Sequence, residues 1–170
     1  ITGDHFILTP GAYIQDFCNQ LKLNIPVMPL KGYSFNHTNL KIKTSLIDHD
    51  HKIVYSPLNQ HTRIAGLYDF VGYSNKINNN RIKYLLKNVN SLFPNNSNNV
   101  IDIWTGMRPM SMDRFPIIGP STIYKNLHYN IAHGNLGWTL SAGSAKITMN
   151  HISQSNEIIP NNIFLPQRFK

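Results

Sequence analysis

The strongest constraint on the fold lies in residues 126–152. An apolar, strand-like run, NLHYNIAHG, passes two glycines and continues into LGWTLSAGSAKITMNHI, whose composition suits a helix. A strand that turns into a helix over so few residues must lay that helix back against its own sheet. The first N–H groups of a helix lack intrahelical acceptors, and its N-terminus carries about half a positive charge. Such a junction suits an anion or the electron-rich edge of a dipolar ring. Glycine lets a planar group approach the backbone without a Cβ in the way. Ser141, Ala142, Gly143, Ser144 and Ala145 then give the helix a thin face. Ordinary tight helix–sheet packing would account for the stretch equally well.

The rest of the chain supplies short β-rich runs and two further helices. HFILTPGAY (5–13) reads as a buried strand ending at Pro10-Gly11, followed by a short helix, YIQDFCNQL. IPVMPLKGYSF (25–35) is strand-like, and its prolines predict an edge or a bend. LKIKTSLI (40–47), KIVYSPL (52–58) and TRIAGLY (62–68) are bounded by turn residues and predict an antiparallel meander. In residues 78–93, Ile82, Leu85, Leu86, Val89 and Phe93 recur at helical spacing behind asparagines suited to N-capping. PNNSNN (94–99) predicts a loop. VIDIWTGMRPMSMDRFPIIGP (100–120) predicts a strand, a Gly-Met-Arg-Pro turn and a second short strand.

Composition excludes several function classes. With 170 residues and 41% hydrophobic content, the chain can bury a real core. It contains no run of eighteen apolar residues, so no membrane-spanning helix is expected. The N-terminal segment lacks the basic and apolar regions of a signal peptide and reads as the middle of a protein. The single cysteine, Cys18, excludes an internal disulfide framework; on an apolar helix face it reads as a small buried thiol. Net charge is +8, but the basic residues are scattered and the imbalance reflects scarce carboxylates, so no nucleic-acid partner is expected. Glu157 is the only glutamate, which leaves paired-carboxylate chemistry few candidates.

Two short motifs bear on chemistry. In GMRP (106–109) an arginine stands between a glycine and a proline just after an apolar strand. Its rigid fork suits a bidentate carboxylate in a partly dry pocket, or else a salt bridge to Asp102 or Asp113. DHDH (48–51) has metal-ligand residue types, but alternate residues of a strand point to opposite faces. Between two strand candidates it reads as a polar hairpin turn, and no metal is expected. No Gly-x-Ser-x-Gly elbow or Ser-His-Asp order supports hydrolase chemistry.

Four segments together, VMPLKGYSF, RIAGLYDFVGY, WTGMRPMSMDRFPIIGP and NIAHGNLGWTLSAGSAKI, resemble in order and spacing the C-terminal half of the D-amino acid dehydrogenases. These belong to the FAD-dependent D-amino-acid and glycine oxidase superfamily. The resemblance covers about residues 5 to 152. It implies an α+β fold: an antiparallel or mixed-sheet substrate domain plus the C-terminal strand–helix part of an FAD-binding, Rossmann-like domain. The implied organisation is residues 1–24 as the end of the FAD-binding part, 25–105 as the substrate domain, 106–152 as the flavin-facing segment and 153–170 as a tail.

By the same resemblance FAD is the cofactor and a small D-amino acid the substrate. Arg108 grips the substrate carboxylate. His133, Gly134, Asn135, Leu136, Gly137 and Trp138 line the pyrimidine edge of the flavin, and Gly11 and Ala12 match a strand end near it. Tyr55 is a weaker pocket candidate. The implied location is cytoplasmic or peripheral to the inner membrane. The family's Gly-x-Gly-x-x-Gly segment is missing from this sequence, and Pro10 replaces a small residue expected before Gly11. The expectation is therefore half of a flavoenzyme, inactive alone and completed by an N-terminal FAD-binding half as a separate chain. The alternative is a non-catalytic remnant or interaction module of a decayed gene.

Overall fold

The computed structural model describes residues 2–96, 99–155 and 162–169. The elements are β1 (Phe6–Leu8), α1 (Ile14–Leu21), β2 (Val27–His37), β3 (Leu46–Asp48), β4 (Ile53–Leu58), β5 (His61–Asp69), α2 (Asn79–Leu92), β6 (Val100–Ser111), β7 (Ile117–Pro120), β8 (Leu127–Ile131) and α3 (Ser141–Ser153). Short 3-10 helices cover Gly11–Tyr13, Asn162–Phe164 and Pro166–Phe169. The class is α+β, with one mixed and one larger sheet. The loop and tail expected at 94–99 and 153–170 lie partly outside the described residues, at 97–98, 156–161 and 170. The chain divides into two compact units, Lys31–Met107 and the pair of segments Ile1–Leu30 and Arg108–Lys170.

The unit Lys31–Met107 is built on the sheet β3-β4-β5-β2-β6. Its meander follows from turn chemistry. The β3–β4 hairpin closes where the Asp48 carboxylate accepts from the backbone N–H groups of Asp50 and His51 and meets His51 Nδ1 at 2.7 Å. The DHDH motif is thus a hairpin turn. The β4–β5 hairpin pairs Leu58 with His61 across a two-residue turn, with Asn59 at φ 49°. Alternation along β5 buries Thr62, Ile64 and Gly66. Gly66 is required there: a Cβ would lie 2.7 Å from the Lys52 carbonyl oxygen. Helix α2 is capped by Asn78, whose side chain accepts from Asn80 N–H at 3.0 Å. Its buried stripe of Ile82, Leu85 and Val89 joins Tyr33, Phe35, Ile53, Tyr55 and Ile64 in one core.

Polar groups in this unit are tied pairwise. The Tyr33 hydroxyl donates to Asp69 at 2.8 Å, and Asp69 also meets Arg81 Nη2 at 2.7 Å. Burial and the Asp69 carboxylate push the Tyr33 phenol up to about 12. Lys31, only 2% exposed, donates to the Lys76 carbonyl.

The other unit carries the sheet β1-β8-β7. β1 runs parallel to β8 (Leu8 opposite Tyr129), and β7 runs antiparallel to β8 (Ile117 opposite Ile131). Ile14, Cys18, Leu23, Ile25, Val27, Ile117, Leu127, Tyr129, Ile131 and Ala132 form its core. Cys18 is a buried free thiol, and burial pushes its pKa up.

Three expectations are corrected. β2 is not an edge strand, since it lies between β5 and β6; Pro29 falls ahead of its first residue paired with β5, Lys31, so the missing N–H breaks no such bond. In residues 40–47 only the last two are in a strand, because β3 begins at Leu46. The Gly-Met-Arg-Pro turn does not exist: Gly106–Pro109 lie inside β6. What stabilises the extended form is a non-local bond, from Gly134 N–H to the Pro109 carbonyl at 2.8 Å.

Candidate functional site

Strand direction decides which loops meet. Because β1 and β8 are parallel, both leave the sheet at the same end, β1 toward Gly11 and Ala12 and β8 toward His133 and Gly134. In α/β sheets with parallel strands, ligands bind outside these carboxyl ends. The C-terminal part of β6 reaches the same place: Met110 pairs with His133 in an isolated antiparallel bridge. Pro109 and Met110, next to Arg108, are thereby brought beside Gly134 and His133, at the sheet end where β1 also leaves toward Gly11. Nothing in the sequence spacing reveals this meeting.

The backbone at this sheet end is unusual. Ala132, fully buried, has φ 65°, a left-handed conformation that non-glycine residues seldom adopt and that costs on the order of 1–3 kcal/mol. Gly134 follows at φ 57° and Gly11 sits at φ 61°. A Cβ on Gly11 would meet nothing within 4 Å, so its glycine serves the turn and leaves open space above it. At Gly134 a Cβ would come within 2.8 Å of Met110 Cε, so Met110 packs over that glycine.

Helix α3 begins at Ser141, five residues later than the sequence suggests. Residues 137–140 form a turn instead, with Leu140 N–H donating to the Leu136 carbonyl at 2.9 Å. Among the described residues the N–H groups of Asn135, Gly137, Trp138 and Thr139 donate to no backbone carbonyl. The expected donor array therefore belongs to this turn as much as to the helix end. Ser144 and Thr148 face inward and bond back to carbonyls of their own helix, while Ser141, Ala142 and Gly143 are exposed.

Side chains at the cluster differ in accessibility. His133 is half-buried, its Nε2 has no hydrogen-bond partner among the described residues, and burial lowers its pKa, so the imidazole is neutral at pH 7. Asn135 and Leu136 are exposed, Gly137 is half-buried, and Trp138 is 94% exposed. Trp138 is the most exposed large hydrophobic side chain among the described residues. Arg108 is half-buried. Arg108 has interactions of its own within the protein; Asp113 meets Arg168 at 2.6 Å, and Asp102 accepts from Asn36 Nδ2 at 2.8 Å.

Tyr55 belongs to the unit Lys31–Met107. It has no exposed surface, packs on the α2 side of its sheet beside Phe93, and burial pushes its phenol up to about 12. Its place is that of a core residue. Sequence reading also missed Pro109, Met110 and Ala132. Only the proline that follows the arginine hinted at them, because their part is played by backbone pairing. Among the described residues no group of three or more His, Cys, Asp or Glu side chains is disposed to hold a metal ion. No helix among them is long and apolar enough to cross a membrane.

Comparison with known proteins defines the class. Residues 1–150 match the family described as FAD dependent oxidoreductase (DAO), and the chain belongs to that family. It is 34% identical over 159 residues to a D-amino acid dehydrogenase of Granulibacter bethesdensis, covering 90% of this chain and 38% of that protein. A D-amino acid dehydrogenase of Allorhizobium ampelinum is 32% identical over 164 residues, covering 94% and 39%. The fold is that of glycine oxidase from Geobacillus kaustophilus, with a TM-score of 0.86 at 15% identity over 99% of this chain and 46% of that one. The chain thus spans about two-fifths of the length of the curated relatives it matches.

The residues present fit part of the family's cofactor. N–H groups without a backbone acceptor, a buried imidazole nitrogen without a partner and glycines at positive φ suit the polar edge of a flavin ring. The sequence contains no Gly-x-Gly-x-x-Gly turn to seat the ADP portion.

Proposed function

We propose that the chain is the substrate-binding and C-terminal flavin-facing part of an FAD-dependent D-amino acid dehydrogenase, completed by a polypeptide that supplies the dinucleotide seat. The observation that supports this reading is the pairing of Pro109 and Met110, next to Arg108, with Gly134 and His133 at the sheet end where β1 also leaves toward Gly11. The named relatives at 34% and 32% identity support the reaction class. Gly11, Ala12 and the run from His133 through Gly134, Asn135, Leu136 and Gly137 to Trp138 would hold the flavin. Bound there, it supplies the acceptor for a hydride from the substrate Cα.

The chain's own residues then do three things. The Arg108 fork holds the substrate carboxylate by two parallel charge-assisted bonds and so fixes where Cα sits. The N–H groups of Asn135, Gly137, Trp138 and Thr139 stabilise negative charge where it develops, without reorganising. His133, neutral, adds a hydrogen-bonding nitrogen in a partly dry setting. Once the substrate amine is neutral, orientation suffices and no protein carboxylate base is needed. The oxidised product, an imino acid, hydrolyses to a 2-oxo acid and ammonia.

The partner's place is supported by β1, which forms an outer strand of its sheet, parallel to its neighbour, with Ile7 45% exposed. Parallel strands are normally covered on both faces, and an open edge invites another strand. A second reading is a non-catalytic remnant, favoured by the Pro10 that replaces a small residue before Gly11. Steady-state kinetics on this chain co-expressed with the N-terminal portion of a D-amino acid dehydrogenase separates them. The proposal expects D-amino-acid-dependent reduction of a dye, with KM raised at least about tenfold by Arg108→Lys, as loss of a bidentate charge-assisted contact implies. Activity unaltered by Arg108→Lys would refute the assignment of Arg108, and no activity in any pairing would favour the remnant.

A further inference from the structure

The C-terminal segment, beyond the residues that match the family, is fastened by one side chain. Arg168 Nε and Nη2 hold the two oxygens of Asp113 at 2.6 and 3.1 Å. Its Nη2 also donates to the Phe115 carbonyl at 2.9 Å, and Nη1 donates to the carbonyls of Phe164 and Leu165 at 2.8 and 3.1 Å. The guanidinium lies 4.3 Å from the centroid of the Phe169 ring, and the side chain is 14% exposed. Every donor direction of the fork is directed at a turn or at the segment itself, which is not how a casual surface arginine behaves.

Asp113 is the centre of the turn that follows β6. Its Oδ1 accepts from Ser111 Oγ at 3.0 Å and from Phe115 N–H at 3.1 Å, and Ser111 Oγ also lies 2.6 Å from the Phe115 carbonyl. Immediately before Ser111 come Pro109, whose carbonyl accepts from Gly134, and Met110, which pairs with His133. The segment is seated a second time at β7. Gly119 has φ 143°, and a Cβ there would lie 2.8 Å from Leu165 Cδ2 and 3.4 Å from Pro166 Cδ. The glycine of IIGP is therefore where the C-terminal segment lies down on the strand.

We propose that Arg168 is a positioning residue: through Asp113 it fixes the end of β6 so that Arg108 and the His133–Gly134 turn hold their mutual register. This rests on the reading of that cluster as the substrate and flavin site. The mechanism is preorganisation, in which a supporting contact holds first-contact groups within a fraction of an ångström. Removing the fork frees the 111–115 turn, and the Pro109–Gly134 bond then opens by local fluctuation rather than by global unfolding.

Amide hydrogen exchange of the 170-residue chain, read residue by residue, tests this without flavin or substrate. In Arg168→Ala, protection of the Gly134 and Phe115 amides is expected to fall at least tenfold, while Tyr129 and Ile131 in β8 stay within about twofold. Arg168→Lys keeps the charge and the stem but not the fork, and is expected to show the same local loss. It keeps the test decisive if the alanine variant does not fold. Equal loss across β8 and Gly134, or unchanged Gly134 protection in Arg168→Lys, would overturn the proposal. A chain that binds no flavin would leave this exchange result standing, so failure of the functional reading and of the positioning role are distinguishable.

Discussion

The two units close their cores in different ways. In Lys31–Met107 a meander is covered by one helix, and the core residues Tyr33, Phe35, Tyr55 and Leu85 have at most 1% exposure. In the other unit a three-stranded sheet ends on a parallel outer strand of three residues, and Ile7, Tyr13, Phe17 and Trp138 are left 41–94% exposed. The first unit also leaves Tyr68, Phe70, Tyr73, Tyr84 and Trp104 39–74% exposed, so exposed aromatic side chains are common to both. What sets the second apart is Trp138, 94% exposed, a few residues after the fully buried, left-handed Ala132 and the glycine turn at Gly134. Stability and function are therefore expected to respond to different residues.

Substitutions can break that contrast, and the largest effect is expected in the closed core. Leu85→Ala removes a fully buried side chain of α2 and should cost about 2–5 kcal/mol in urea unfolding. Next comes Gly66→Ala, where a Cβ would meet the Lys52 carbonyl at 2.7 Å; the backbone must shift, for about 1–3 kcal/mol. Asn78→Ala deletes the α2 cap and should cost about 1 kcal/mol. Trp138→Ala should change stability by less than about 0.5 kcal/mol, yet weaken flavin or partner binding. A large loss of stability at Trp138 would dissolve the contrast.

Acid sharpens the comparison. Burial lowers the pKa of His128, His133 and His151 in one unit and of His37 in the other. The neighbouring His5 and His151 lower His128 further. A folded-state pKa below the unfolded value of about 6.5 means that the unfolded chain binds more protons as pH falls. Stability is then present above that pH and lost below it. Between pH 7.5 and 5.5 exchange protection should fall more in the unit with three such histidines, and His128→Gln should reduce the difference. Asp113 acts lower, since Arg168 holds its carboxyl below the usual range and the contribution goes as it protonates.

Local chemistry made much of the fold legible. The asparagine cap and the Ile82–Leu85–Val89 spacing fix α2 to within a residue of 78–93. The β4–β5 meander follows from alternation and from turn residues at 59–60. What escaped was set by distant partners. Gly-Met-Arg-Pro reads locally as a turn, but pairing with residues 133–134 keeps it extended. The Arg168–Asp113 fork joins residues 55 apart, and no periodicity reports such a contact. Of the site, the glycines and the arginine were visible as residue types. Their meeting depends on β1 and β8 being parallel, which composition does not encode. Alternation along β4 buries Tyr55 in the core of its own unit.

The central claim is that the 133–138 turn faces a flavin once a dinucleotide-seating partner is present. Its most direct test is a flavin fluorescence titration of this chain, alone and with the co-expressed N-terminal portion of a D-amino acid dehydrogenase, with Trp138→Ala alongside. The account predicts quenching that saturates only in the presence of the partner and weakens in the variant. Absence of binding in both states, or partner-dependent binding that Trp138→Ala leaves untouched, would contradict it.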